Sequence, residues 1–488
     1  MNWNVCKVIA CAVILLVGIE GATLAASERG QPTLELLFLG DSPVRLDLSL
    51  DIDGLDFQAF WDETFSRLFR FHDFDADGRL DDRELESMPS ATALRQAMAN
   101  GFTPPVGASP RMADMDRDGD KSIVEAELAA FFRAAGLGEI YVGVGVLPAT
   151  HRLTKAIVER LDHDENGVIG KAEWLTARDR LMPLDQNDDD LVGAGELVPG
   201  TVYPGAAGTT LLRAGEALPA TLDMVPFTVL PVDDPDAMWA TAMVKRFPSL
   251  SALKLQAART APPGASWNMS IPSQGNGSRV LQTAHLRIDG WVTAGKALTS
   301  HATAKRSLAA SFEKYCDART RAESTNEHDL HWLVASADRD QSKVVEPNEF
   351  SEWMAVQERI VRGQVLLTIF DAGHGLFEIV DEDHDGALSQ RELMTASIRL
   401  GDAGLAEGDA FNVARMPRAV LMALSHGYPD GYRRESQGCP PWAHAMDRNR
   451  DGDVSRREFV GAQDDFDRLD TDRDGLIATR DLLHAEER

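Results

Sequence analysis

The sequence predicts a mainly α protein: helix–loop–helix pairs in two four-loop modules, with minor β segments. Three observations carry that expectation. An acidic pattern, D-x-[DN]-x-[DN]-G-x-hydrophobic-x-x-x-E, recurs eight times without gaps, each copy 12 residues long. The copies start at 73, 116, 162 and 185, then at 338, 381, 447 and 470, so steps of 43, 46 and 23 are followed by steps of 43, 66 and 23. Matching steps argue for a duplicated unit. Apolar residues at helical spacing precede the copies: Phe65, Leu68 and Phe69 before the first, Ile157, Val158 and Leu161 before the third, Leu376, Phe377 and Val380 before the sixth.

Composition narrows the function classes. The chain has 488 residues, too many for one core, and 44% are apolar, as in globular proteins. Acids outnumber bases 77 to 49, a formal charge of −28. Such a surface repels nucleic acid and anionic membrane and attracts cations. A Gly-rich phosphate loop, a G-x-S-x-G elbow, an H-E-x-x-H helix and paired-cysteine zinc spacing are all absent from the sequence. The chain therefore reads as a non-enzyme.

Taken in order, residues 1–26 have the layout of a secretory signal: Lys7, an apolar run Val8–Ile19, then small residues at Ala22, Ala25 and Ala26. The expected location is secreted, periplasmic or cell-surface. The run has 12 residues, short of the ~20 that span a bilayer; an uncleaved anchor is the alternative. Lys7 and Glu20 cancel, so cleavage leaves the charge at −28. Cys6 and Cys11 leave with the signal. Cys316 and Cys439 remain, as one bridge or two separate thiols. Residues 27–56 form a β-strand arm, because VRLDLSLDIDG alternates apolar and polar residues. The first module spans 57–200 and the second 331–488. Between them, 201–330 reads as a joining region with a small β component. Extended segments are expected at 140–147, 222–232, 265–272 and 285–296, and a helix near Pro235.

The eight windows are DFDADGRLDDRE, DRDGDKSIVEAE, DHDENGVIGKAE, DQNDDDLVGAGE, DRDQSKVVEPNE, DEDHDGALSQRE, DRNRDGDVSRRE and DTDRDGLIATRD. Short oxygen side chains at alternate positions make no apolar face, but they converge on one hard cation. Position 8 is aliphatic in every copy: Leu80, Ile123, Ile169, Val192, Val345, Leu388, Val454 and Ile477. A merely solvated acidic turn has no reason to keep that position greasy. Each window resembles the calcium loop of the EF-hand family, and the chain is similar to exported bacterial-type proteins with many EF-hands.

That resemblance implies calcium, up to eight ions, held by 6–8 oxygens each at ~2.3–2.6 Å. Side chains at positions 1, 3 and 5 supply oxygens, position 7 a backbone carbonyl, position 9 a side chain or water, and position 12 a bidentate carboxylate. Carried over residue by residue, the ligands of the first loop are Asp73, Asp75, Asp77, Arg79 through its carbonyl, Asp81 and Glu84. The second offers Asp116, Asp118, Asp120, Ser122 and Glu127. The third offers Asp162, Asp164, Asn166, Val168 and Glu173. The fourth offers Asp185, Asn187, Asp189, Leu191 and Glu196. In the second half, the fifth loop supplies Asp338, Asp340, Ser342, Val344 and Glu349, and the sixth Asp381, Asp383, Asp385, Ala387, Ser389 and Glu392. The seventh has Asp447, Asn449, Asp451, Asp453, Ser455 and Glu458, and the eighth Asp470, Asp472, Asp474, Leu476 and Asp481.

Departures from the pattern differentiate the loops. Turn position 6 is Lys121, Asp190 and Lys343 instead of glycine in the second, fourth and fifth, and the fifth reads as the weakest site. Asp481 has a shorter reach than glutamate, which opens its loop to magnesium. His163 and His384 fall at positions that point to solvent. The 43-residue steps suit loops paired side by side, first with second and fifth with sixth. The 11 residues between the third and fourth loops, and between the seventh and eighth, are one shared helix or two stubs at a bend. A shared helix, ~16 Å long, would hold its loops apart, whereas Pro183 favours a bend. The functional expectation is a calcium-binding scaffold or buffer. A calcium-triggered interaction module, or an enzyme with its site in 201–330, is the alternative; the identity of any protein partner stays open.

Overall fold

Two apolar runs decide the architecture. Val365–Gly373 (VLLTIFDAG) and Arg418–His426 (RAVLMALSH) are each buried at eight of nine positions. Runs without alternation suit the centre of a sheet covered on both faces. In the computed structural model they pair antiparallel, Val365 opposite His426 and Phe370 opposite Leu421. Tyr141–Val146 lies parallel to the first run and Leu286–Val292 parallel to the second. Thr210–Leu212 and Arg279–Gln282 close the edges, giving six strands. The structure describes residues 32–481, leaving out 40–42, 104–105, 148–149, 202, 204–209, 213, 217–224, 232–237, 272–277, 294, 321–335, 341, 403–405, 408–409, 414–415, 430–440 and 479–480. The expected signal, Cys439 and Pro235 lie outside the described residues.

A second sheet joins Leu34–Phe38, Val44–Ile52, Leu55–Asp56, Phe227–Val229 and Ala265–Ile271. The chain is therefore not mainly α with minor β. It is 44% helical and 22% strand, with several multi-stranded sheets, one of them six-stranded. The five segments read as extended each contain a strand. The two central runs were not legible as strands, because a continuous apolar stretch has no period to separate strand from buried helix.

Alternation through the six-stranded sheet sorts side chains onto its two faces. Leu367, Ile369, Val420 and Met422 enter the largest core, whereas Phe370, Ala372, Leu421 and Ala423 pack with Trp291 on the opposite face. The eight position-8 residues divide among three cores. Leu80, Ile123 and Val345 belong to the largest, Ile169, Val192 and Leu388 to a second, Val454 and Ile477 to a third. All eight are at most 2% exposed. Burying each aliphatic side chain is worth ~1.5–3 kcal/mol, which ties loop conformation to core packing.

Loop pairing follows these cores rather than chain order. Leu80 bridges Ile123, pairing the first loop with the second. Among the described residues, the fifth and sixth loops do not pair in this way. Leu388 of the sixth lies opposite Val192 of the fourth, and Ile169 of the third opposite Phe411 in a hairpin. The cause is the strand Val365–Gly373, which carries the chain across the sheet between the fifth and sixth loops. The seventh and eighth loops do pair, Val454 with Ile477. Their linker is not one helix. Only Gln463–Leu469 is helical, after a bend at Gly461, so the chain doubles back. The other short linker is also broken, into Ala177–Leu181 and a 3-10 turn Met182–Leu184 containing Pro183.

Candidate metal centres

Each loop builds its centre with the same local hydrogen bonds. The acid at position 12 is the third residue of the exiting segment, where a side chain can reach back to the N-cap amide. In all eight loops its carboxylate accepts the N–H of position 9 at 2.8–3.1 Å. It also accepts the N–H of position 2, at 2.5–2.9 Å. The aspartate at position 1 accepts the N–H of position 6 at 2.7–3.1 Å. Backbone donors thus hold both ends of every loop in register before any ion arrives.

Position 6 has a positive φ in every loop, from 65° at Asp190 to 92° at Gly475. Left-handed backbone favours glycine, and a non-glycine residue there costs ~1–2 kcal/mol. Lys121, Asp190 and Lys343 bear that strain. Gly386 is constrained twice, since an added Cβ would also meet the Tyr203 ring at 2.7 Å.

This scaffold brings the carboxylates together. One oxygen each from Asp73, Asp75 and Glu84 lies within 4.8 Å of the other two. The same holds for Asp116, Asp118 and Glu127, for Asp162, Asp164 and Glu173, for Asp338, Asp340 and Glu349, and for Asp381, Asp383 and Glu392. Oxygens around calcium stand up to ~5 Å apart, twice the metal–oxygen distance, so each triad fits one ion. In the seventh loop Asp447 Oδ1 is buried without a hydrogen-bond partner. A buried orphan acceptor is costly, and a cation satisfies it.

Burial perturbs the acids of the second half most. Burial, with Glu392, Asp385 and Asp383 close by, holds Asp381 well above the usual carboxylate range. Burial and then Asp383 push Glu392 up to about 7, and burial foremost takes Asp451 to about 8. Asp453 rises to about 6 through burial, opposed by Arg391.

Contacts between loops involve residues that the sequence reading did not single out. Arg391 of the sixth loop bonds Asp453 of the seventh at 3.0 Å. Arg339 of the fifth donates to the carbonyls of Arg70 and Asp73, at 3.0 and 3.2 Å. The side chain of Arg79, whose carbonyl is the expected ligand, reaches Asp120 and Ser122 of the second loop. Only the non-glycine at turn position 190 was visible as a signal. His163 is exposed, but His384 is not: it is 6% exposed, with its ring 4.4 Å from that of Trp291. The sheet face carrying Trp291 covers it, which no local pattern reveals.

The family model described as EF hand matches residues 374–396 and 444–460. Two segments of this chain match the EF-hand family. They enclose the sixth and seventh loops, and the match supports calcium as the ion bound. No curated protein and no solved structure matches the chain. The helix Leu376–Val380 enters the sixth loop and Gln390–Asp402 leaves it, whereas Pro441–Met446 enters the seventh and only a turn follows it. Among the described residues, no helix is long and apolar enough to cross a membrane.

Proposed function

We propose that all eight loops are calcium sites and that the chain is an exported calcium-dependent scaffold or buffer, without catalytic activity. The observation that carries this reading is the eightfold repetition of one hydrogen-bond scheme, which aims paired carboxylates inward in matched and unmatched loops alike. The side chains at positions 1, 3, 5 and 12 and the position-7 carbonyl would hold the ion, and position 1 would still accept the turn amide. Eight divalent ions set against −28 leave −12, so binding and compaction reinforce each other. The eighth loop, closed by Asp481, is the place for magnesium. Affinity in the range ~10⁻⁴–10⁻³ M suits extracellular modules.

Support for a rigid role comes from the position-8 residues, already at most 2% exposed in their cores. Calorimetric titration of chelator-treated protein tests the reading. Six to eight calcium ions per chain are expected, about one per loop; uptake of fewer than about four would refute an eight-site protein. Export is tested separately, by following a tagged chain: retention in the cytosol would sink it.

A further inference from the structure

We propose that Asp190, in the fourth loop, is a positioning residue for calcium bound in the seventh. The inference rests on the calcium reading of the loops. Asp190 occupies the turn position where glycine is expected, at φ 65°, and is only 6% exposed. The carboxylate leaves the fourth loop altogether: Oδ2 accepts the hydroxyl of Ser455 at 2.9 Å, and Oδ1 accepts Nη1 of Arg457 at 3.0 Å. Ser455 is position 9 of the seventh loop, 6% exposed, and its own N–H is held by Glu458.

A hydroxyl has one proton and two lone pairs. The Asp190 carboxylate accepts the Ser455 O–H, so the hydroxyl's lone pairs turn away from Asp190, free to face a cation. Asn449 Nδ2, at position 3 of the seventh loop, donates to the carbonyl of Asp189 at 3.0 Å, which fixes the loops face to face. Two candidate ligand side chains of one loop are thereby oriented by the turn of another, 260 residues or more away.

The test sets backbone preference against positioning. Asp190→Gly restores the usual turn residue and relieves strain, yet removes the acceptor. Asp190→Asn tolerates the left-handed turn and keeps an acceptor oxygen. In protein labelled with ¹⁵N-glycine, calcium alone is titrated while the amides of Gly452, Gly475 and Gly78 report the seventh, eighth and first loops; each donates to its loop's first aspartate. In D190G the Gly452 midpoint should rise by about 10- to 100-fold, the usual cost of losing a ligand-orienting partner. Gly78 should not move, and D190N should stay near the parent. Combining D190G with Ser455→Ala should add little to either alone. An unchanged or lower Gly452 midpoint in D190G overturns the proposal, as does an equal rise at Gly78. If Gly452 and Gly78 in the parent ignore calcium altogether, the calcium reading itself has failed.

Discussion

Val192 lies directly opposite Leu388 in an antiparallel pair, although one belongs to the fourth loop and the other to the sixth. Both are completely buried in the same core. Leu388→Ala should therefore cost ~2–5 kcal/mol of unfolding free energy. It should also weaken calcium binding at both loops, because the position-8 pair sets the geometry of both. Urea denaturation in calcium gives the first quantity and a calcium titration the second. A variant that loses stability but binds every ion as the parent does would show that the pair is packing alone.

Metal-free protein should lose stability as pH rises through neutrality. Glu392 and Asp451 are pushed up to about 7 and about 8, both first of all by burial, and Asp381 lies well above its ordinary value for the same first reason. Their unfolded values are ~4. Between those limits the native state binds more protons than the unfolded one, so stability falls with increasing pH. The contribution is complete below about pH 4 and lost through pH 7–8. Buried His72 and His426, pushed down to about 3 and about 4 by burial, act in the opposite sense. They do so only below the ordinary histidine value of ~6.5. Between about pH 6.5 and about pH 8.5 the unfolded histidines complete only the last half of their titration, so the acids dominate, and urea midpoints in chelator should be lower at the higher pH. Equal midpoints would contradict the burial argument.

The acidic loops were legible and their pairing was not, for one physical reason. A loop is a local object: Asp447, Asn449, Asp451 and Glu458 lie within 12 residues, and backbone geometry brings them together. Loop partners are chosen by cores. Val192, Val345, Leu388 and Val454 look alike in sequence, yet they enter three different cores. The central strands failed to register because VLLTIF and AVLMAL have no alternation, being covered on both faces. His384 was misread for the related reason that its cover, Trp291, is remote in sequence.

Arg79 should compete with calcium at the second loop. Its guanidinium holds Asp120, an expected position-5 ligand, and the hydrogen bond from Arg79 is the main cause that keeps Asp120 below its usual range. The contribution expected of Arg79 to its own loop is the backbone carbonyl, which substitution leaves intact. Arg79→Gln should tighten the second loop by about two- to fivefold, as expected for releasing an exposed ion pair. It should leave the first loop unchanged. Calcium titration followed at the amides of Gly119 and Gly78 separates the two; weaker binding in the second loop would mean that Arg79 orients Asp120 rather than blocking it.

The sharpest expectation concerns Glu392, whose effect should change sign with calcium. In the parent its carboxylate accepts the N–H groups of Glu382, Asp383 and Ser389 and sits 7% exposed among Asp381, Asp383 and Asp385. Glu392→Gln keeps the volume and one acceptor oxygen but removes the charge. Without calcium at about pH 8.5 the parent bears an ionised carboxylate in a buried acidic cluster, whereas the variant does not. The variant should then have the higher urea midpoint. With ~10 mM calcium and a dissociation constant of ~10⁻⁴ M, an occupied site adds ~2.7 kcal/mol to the folded state. The variant forfeits that contribution at the sixth loop and should have the lower midpoint. Paired denaturation curves, in chelator and in calcium, measure both. A variant less stable than the parent in both conditions would mean that Glu392 serves the fold through its amide contacts, and that the charge itself is not held for an ion.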